Sequence, residues 1–202
     1  MKPYLVFDIE IKKTLGQVAT ELKLSDERMA FSYPHKLGFG IGVVYNSITD
    51  EYLTFNSAKE MAKYLLENGD FLVSFNGIRF DIPCLLNGEV DIDIFLALQN
   101  KPHLDILQNF YANVGGRFRV GLDNIAQNTL GKGKTGNGAD APLLFQQGKI
   151  EELIAYCKND VLITKEIYEF GVEQGFIKYW DNQNNALCRM EVDWGERDNY
   201  VI

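Results

Sequence analysis

The order of apolar and polar positions along the chain predicts strands near the N-terminus and mainly helices after residue 100. Five short runs rich in β-branched and aromatic residues predict strands, at Tyr4–Ile9, Gly38–Tyr45, Glu51–Phe55, Phe71–Phe75 and Leu187–Trp194. A polar turn joins the second and third runs, which predicts a hairpin. Residues 11–37 show no clear period, and Pro34 with His35 predicts a loop.

Periodic apolar stripes predict the helices. Ser57 and Glu60 have the spacing of a capping box, which predicts a helix that ends near Asn68. A helical turn and three longer helices follow, at Asp81–Leu86, His103–Ala112, Leu122–Leu130 and Lys149–Phe170. We therefore expect a single α/β domain over residues 1–202 with a mixed sheet, and a C-terminal extension at 175–202 that packs on it.

Composition and charge narrow the function classes. The 202 residues carry a net charge of −8, which argues against a protein that coats nucleic acid or lies on anionic membranes. An enzyme that binds one nucleic-acid end through metal ions is compatible with this charge. The N-terminal apolar run is broken by Asp8 and Glu10, unlike a signal peptide, and no run is long enough to span a bilayer. We expect a cytoplasmic protein that does not associate with membranes.

Two carboxylates stand on the first predicted strand. Asp8 and Glu10 lie two positions apart in VFDIEI, so both side chains point to one face, and Phe7, Ile9 and Ile11 point to the other. Two close carboxylates repel each other unless a cation lies between them. The alternative interpretation is an edge strand with one solvated face.

Two more carboxylates and a tyrosine lie on predicted helices. Asp81 follows the loop after the strand at 71–75, where α/β folds usually place their sites, although an aspartate there also suits a helix cap. Tyr156 and Asp160 lie four positions apart on the long helix, at the border of its apolar stripe. A partly solvated pair is the alternative interpretation of these two residues.

Together these motifs resemble those of a known enzyme family. D-x-E on a first strand, N-x-x-x-F-D after a later strand and Y-x-x-x-D on a late helix resemble the DEDD exonucleases of the ribonuclease H-like fold. Tyr156, with Ala rather than His before it, places the sequence with the DEDDy branch, which includes the proofreading domain of family B DNA polymerases. HLD at 103–105, GLDNIAQNTLGKGKTGNG at 121–138 and EVDW at 191–194 are similar to stand-alone bacterial and phage predicted exonucleases.

The resemblance implies a ribonuclease H-like α/β fold and two divalent metal ions, Mg²⁺ or Mn²⁺. It implies that Asp8 bridges the two ions, that Glu10 and Asp160 bind the ion that activates water, and that Asp81 supports the second ion through water. Tyr156 would orient the attacking water. It would be a poor base at neutral pH, since an ordinary tyrosine has a pKa of about 10.

Further residues are candidates for substrate contacts. Asn76 and Phe80 match the family motif. We expect Asn76 to contact the terminal nucleotide and Phe80 to pack or wedge beside it. His103 is a third candidate, at the start of a predicted helix.

One stretch of this acidic chain is basic. Residues 100–135 carry five basic residues and two acidic ones, a local charge of +3, which predicts a phosphate track with Lys132 and Lys134 as candidate contacts. Scattered solvated charge explains the same stretch equally well.

The expected function is removal of nucleotides from the 3′ end of nucleic acid, with single-stranded DNA as the favoured substrate. An exoribonuclease is the alternative among enzymes, because phosphate contacts carry little information about the base. An inactive fold that binds nucleic-acid ends is another alternative, which the complete set of four carboxylates and a tyrosine disfavours. The acidic charge also suggests a helicase or polymerase partner that supplies substrate affinity.

Overall fold

The computed structural model describes residues 3–86, 90–115, 119–133 and 141–195. The strands are β1 (Leu5–Ile11), β2 (Phe39–Asn46), β3 (Glu51–Phe55), β4 (Leu72–Ser74), β5 (His103–Asp105), β6 (Phe176–Asp181) and β7 (Ala186–Glu191). The helices are α1 (Leu15–Leu22), α2 (Pro34–Leu37), α3 (Ala58–Asn68), α4 (Asp81–Leu85), α5 (Ile92–Gln99), α6 (Ile106–Val114), α7 (Leu122–Leu130), α8 (Ala141–Gln146) and α9 (Ile150–Gln174), with a 3₁₀ helix at Glu27–Ser32. None of the helices in these ranges is long and apolar enough to cross a membrane.

β1 lies at the centre of a five-stranded mixed sheet with the order β3-β2-β1-β4-β5. β1, β2 and β3 pair antiparallel along the chain, whereas β4 and β5 add in parallel with β1. β6 and β7 form a separate antiparallel pair. The mixed sheet, with helices packed on both of its faces, confirms the predicted α/β class and the ribonuclease H-like fold.

Alternation along β1 divides the core into two layers. Phe7 and Ile9 pack with α3, α4 and α5, and Val6 packs on the opposite face with α6, α7 and α9. Asp8 and Glu10 share the face of Val6, as the sequence predicts. Because α9 covers this face, Glu10 is withdrawn from solvent and is only 6% exposed.

Residues 11–37 are more regular than the sequence suggested. Thr14 caps α1, and the side chains of Thr14 and Gln17 form a reciprocal capping box. Pro34 begins α2 rather than closing a loop, because proline suits the first position of a helix. This segment has a small apolar core of its own, which is too short to produce a recognisable period.

Other elements also differ from the prediction. His103–Asp105 forms the buried strand β5, and α6 begins only at Ile106 with Asp105 as its N-cap. A three-residue strand is too short to show alternation, which explains the error. The strand predicted at Leu187–Trp194 is the second arm of a hairpin and ends at Glu191. The sequence analysis did not predict β6, α5 or α8.

Side chains of α7 hold the C-terminal hairpin in place. Asn124 accepts from the backbone N–H of Trp180 and donates to its carbonyl, and Thr129 makes the same two bonds with Lys178. These bonds cover the outer edge of β6 as a neighbouring strand would. Beyond β7, Trp194 is fully buried against α9.

Candidate active site

A cavity of about 530 Å³ lies beside β1. Its walls come from β1, the start of α1, the 3₁₀ helix, the loop between β4 and α4, and α9. All five residues predicted as catalytic line it: Asp8, Glu10, Asp81, Tyr156 and Asp160. Asn76 and Phe80, two of the predicted substrate contacts, line it as well. Residues from three distant parts of the sequence thus meet at one cavity.

The central position of β1 places Asp8 and Glu10 at the floor of the cavity. β1 is flanked by β2 and β4, so the alternative of a solvated edge strand is wrong. Carboxylate oxygens of Asp8 and Glu10 and the Sγ atom of Cys157 lie within 4.8 Å of one another. The two acids are therefore close enough to share one cation.

Asp81 reaches β1 where the parallel pairing with β4 stops. β4 pairs with β1 only at Leu5 and Val6, and beyond this point the Oδ1 atom of Asp81 accepts from the backbone N–H of Ile9 at 3.1 Å. The pKa of Asp81 is raised to about 7, chiefly by burial; the hydrogen bond from Ile9 lowers it, and the nearby carboxylates of Asp105 and Asp160 contribute to the rise. Asp81 lies in negatively charged surroundings that favour a cation.

The donor set of the cavity fits a hard divalent cation. Four of its carboxylates, the predicted ligands Asp8, Glu10, Asp81 and Asp160, offer oxygen atoms, which Mg²⁺ and Mn²⁺ prefer. Cys157 does not belong to this set, because these hard cations prefer oxygen to sulfur ligands. Burial and the charge of Asp8 raise the pKa of its thiol. The thiol instead donates to the backbone carbonyl of Asp8 at 3.4 Å and to its Oδ2 atom at 3.6 Å.

The long helix α9 delivers Tyr156 and Asp160 to the same cavity. One helical turn separates them, so both side chains point to one side. Asp160 is buried and Tyr156 is half-buried. The alternative interpretation, in which both residues are partly solvated, is therefore wrong for Asp160.

Asp105 organises the loop that carries Asn76, and sequence analysis did not recognise this role. Its buried carboxylate accepts from the backbone N–H groups of Asn76 at 2.9 Å and Ile78 at 3.1 Å. It also accepts from the backbone N–H groups of Leu107 and Gln108 and so caps the N-terminus of α6. Asn76 has a φ of 72°, a left-handed conformation that costs energy and needs such external support.

Of the three remaining predicted contacts, His103 and Lys132 are not among the described residues that line the cavity. His103 is 4% exposed and its Nε2 atom lies 2.8 Å from Ser74 Oγ, so burial prevents the expected contact with substrate. Lys132 is absent from the described lining residues and forms an ion pair with Glu166 at 2.7 Å. Lys134 lies outside the described residues.

We expect the free energy of unfolding to fall less steeply with decreasing pH in His103→Gln than in the wild type. Burial lowers the pKa of His103 to about 3, whereas the unfolded chain takes up this proton at its ordinary pKa of 6.5. Because the unfolded chain binds this proton more readily, His103 lowers the free energy of unfolding as the pH falls below 6.5. The loss is about 2 kcal/mol between pH 7 and pH 5. Urea unfolding at both pH values measures it, with the less buried His35→Gln as control. An unchanged slope in His103→Gln would refute this account.

Several cavity residues were not singled out from the sequence. Thr14, Leu15, Glu27 and Phe31 line the cavity from the segment that showed no period. The capping box at 14–17 was a readable sign of α1, but nothing local indicates that the helix returns to β1.

The sequence matches the family model of the RNase H superfamily over residues 35–171, which is more than half of the chain. The chain therefore belongs to the RNase H superfamily. The match begins after β1 and so does not include Asp8 and Glu10.

Among solved structures, the chain is similar to the family B DNA polymerase from the hyperthermophilic archaeon Pyrobaculum calidifontis, with a TM-score of 0.55 and 16% sequence identity. The similarity covers 84% of this chain and 24% of the polymerase chain, so the chain spans about a quarter of the polymerase's length. At this identity the similarity concerns the fold alone. No curated protein matches the sequence.

Proposed function

We propose that the protein is a metal-dependent 3′–5′ exonuclease of the DEDDy type. The observation that carries the proposal is the convergence of four carboxylates and a tyrosine on one cavity. Membership of the RNase H superfamily supports a nuclease, and the resemblance of the three sequence motifs to DEDDy enzymes supports the 3′ direction.

We assign the carboxylates Asp8, Glu10, Asp81 and Asp160 to the binding of two divalent cations, Mg²⁺ or Mn²⁺. When bound, such ions supply an activated water and stabilise the leaving oxygen of a phosphodiester. Tyr156 lines the same cavity, and we assign its hydroxyl to the orientation of the attacking water. Cys157 and the N–H of Ile9 fix Asp8 and Asp81, so that the ligands are held in place before substrate binds.

Single-stranded DNA is the favoured substrate. A cavity of about 530 Å³ lies in the range of small-ligand sites and suits a single terminal nucleotide. Short RNA is the alternative, and digestion of matched DNA and RNA oligonucleotides separates the two. A cytoplasmic location is part of the proposal. So is a helicase or polymerase partner that supplies substrate affinity, since a net charge of −8 gives little general attraction to phosphates.

Metal removal tests the proposed chemistry. We expect release of mononucleotides with Mg²⁺ or Mn²⁺ and none in excess chelator. Ca²⁺ should bind without supporting turnover, because its larger radius and looser coordination disturb the arrangement of ligands. Full activity in chelator would exclude the proposed site, and oligonucleotide binding without any release would favour the inactive end-binding alternative.

Tyr156→Phe tests the role of the hydroxyl. The change removes one hydrogen-bonding group and no metal ligand, so Mn²⁺ affinity should stay near that of the wild type. Single-turnover rates should fall by about 10- to 1,000-fold, the range for loss of a positioning hydrogen bond. Tyr111→Phe, on α6 and outside the cavity lining in the described residues, is the matched control. A loss below about twofold would assign Tyr156 to packing alone.

A further inference from the structure

The 3₁₀ helix at Glu27–Ser32 forms part of the cavity wall and presents a large aromatic ring to it. Ala30 is fully buried and anchors the segment on Val18 and Leu37. Phe31, the next residue, is 52% exposed and yet lines the cavity. Much of this ring is therefore open to a group that enters the cavity.

Phe31 is held beside a second cavity residue. Its ring centroid lies 6.1 Å from that of Phe80, with the two planes tilted by 52°. Phe80 is partly buried and packs on the same small core as Ala30, so it supports Phe31 from behind. The arrangement leaves part of the Phe31 ring available to a flat group that enters the cavity.

The cavity wall beside Phe31 offers an aromatic face rather than a cation. Arg28 and Lys36 flank Phe31 along the chain, but no Lys or Arg is among the described lining residues, and Glu27 of the same helix is one of them. In the stretch predicted as a phosphate track, Lys101 donates to the carbonyl of Gly69 and Lys132 pairs with Glu166. Contact with an incoming strand at this wall therefore depends on the ring of Phe31.

We propose that Phe31 stacks on an unpaired nucleobase of the single strand that enters the cavity. Every base has a π-face, so stacking on an aromatic side chain binds single strands with little sequence preference. A paired base offers its faces to its neighbours in the duplex and is not available in this way. The direction in which the strand enters the cavity follows from the proposed function, and in this respect the inference rests on it.

The test measures binding separately from cleavage. A fluorescent single-stranded oligonucleotide is titrated with protein in Ca²⁺, under which we expect no turnover. Phe31→Ala should weaken binding about tenfold, within the range measured for loss of one stacked base. Phe31→Tyr should retain affinity and Phe31→Leu should not, because leucine keeps an apolar side chain but lacks the ring. Met29→Ala is the matched control: Met29 is 46% exposed on the same helix but does not line the cavity in the described part of the chain.

Oligonucleotides with one abasic position identify the base that is stacked. When the base facing Phe31 is missing, wild type and Phe31→Ala should bind equally, and at other positions the difference should persist. The inference is overturned if Phe31→Ala binds as the wild type does, if Met29→Ala weakens binding equally, or if no abasic position removes the difference. Loss of self-association in Phe31→Ala with unchanged oligonucleotide affinity would overturn it in favour of a protein contact. Absence of nucleotide release in Mg²⁺ would refute only the proposed function, since the binding measurements stand without turnover.

Discussion

Asp8→Ala is expected to abolish metal binding and reduce turnover by at least about 1,000-fold, because in the proposed site this carboxylate would bind both ions. Asp8 lies on the central strand, and one of its carboxylate oxygens is within 4.8 Å of a carboxylate oxygen of Glu10. The remaining acids would then have no common cation. Folding should survive or improve, because repulsion among the buried carboxylates decreases.

Thermal unfolding with and without Mn²⁺ measures both effects of this change. The wild type should melt at a higher temperature with Mn²⁺, because a ligand that binds only the native state stabilises it. The Asp8→Ala protein should lose this increase and keep its melting temperature in chelator. Asp93→Ala, at an exposed position on α5, removes the same charge outside the site and should behave as the wild type does. Retention of the Mn²⁺ effect in Asp8→Ala would remove Asp8 from the metal site.

Replacement of Asp105 should have the second-largest effect. Asp105→Ala leaves four backbone N–H groups without their acceptor, and we expect a loss of about 2–4 kcal/mol in the free energy of unfolding. Asp105→Ser separates the two roles of the carboxylate, because serine still caps α6 but is too short to hold Asn76 and Ile78. This variant should recover part of the stability while single-turnover rates stay about 10- to 100-fold below the wild type, since the loop that carries Asn76 and leads to Asp81 is released.

Asp91→Ser is the matched control for this experiment. Asp91 is exposed and caps α5 by accepting from the backbone N–H of Asp93 at 3.0 Å. The same substitution there alters a helix cap without releasing a neighbouring loop. Both stability and rate should stay near the wild type. If Asp105→Ser keeps full activity, Asp105 serves α6 alone and the loop does not need it.

The sequence predicts most of the site because the informative patterns are local. Strict alternation on β1 already places Asp8 and Glu10 on one face, and the four-residue spacing pairs Tyr156 with Asp160 on α9. The central sheet follows from apolar strands bounded by polar turns. These features depend on residues a few positions apart, which is the distance over which pattern and propensity act.

The features that the sequence does not predict depend on tertiary contacts. His103 resembles a helix start beside Asp105, but pairing with β4 makes it part of a buried strand. Phe31 reaches the cavity only because the 3₁₀ helix packs on α1 and α2. The same holds for the basic stretch at 100–135. Lys101 and Lys132 have partners within the fold, and a count of charged residues does not reveal these partners.

Digestion of a 5′-labelled single-stranded oligonucleotide in Mg²⁺ tests the central proposal most directly. The account predicts a ladder of products that shorten with time from the 3′ end, release of mononucleotides, and loss of both in Asp8→Ala. Cleavage at internal positions, shortening from the 5′ end, or equal activity in Asp8→Ala would contradict it.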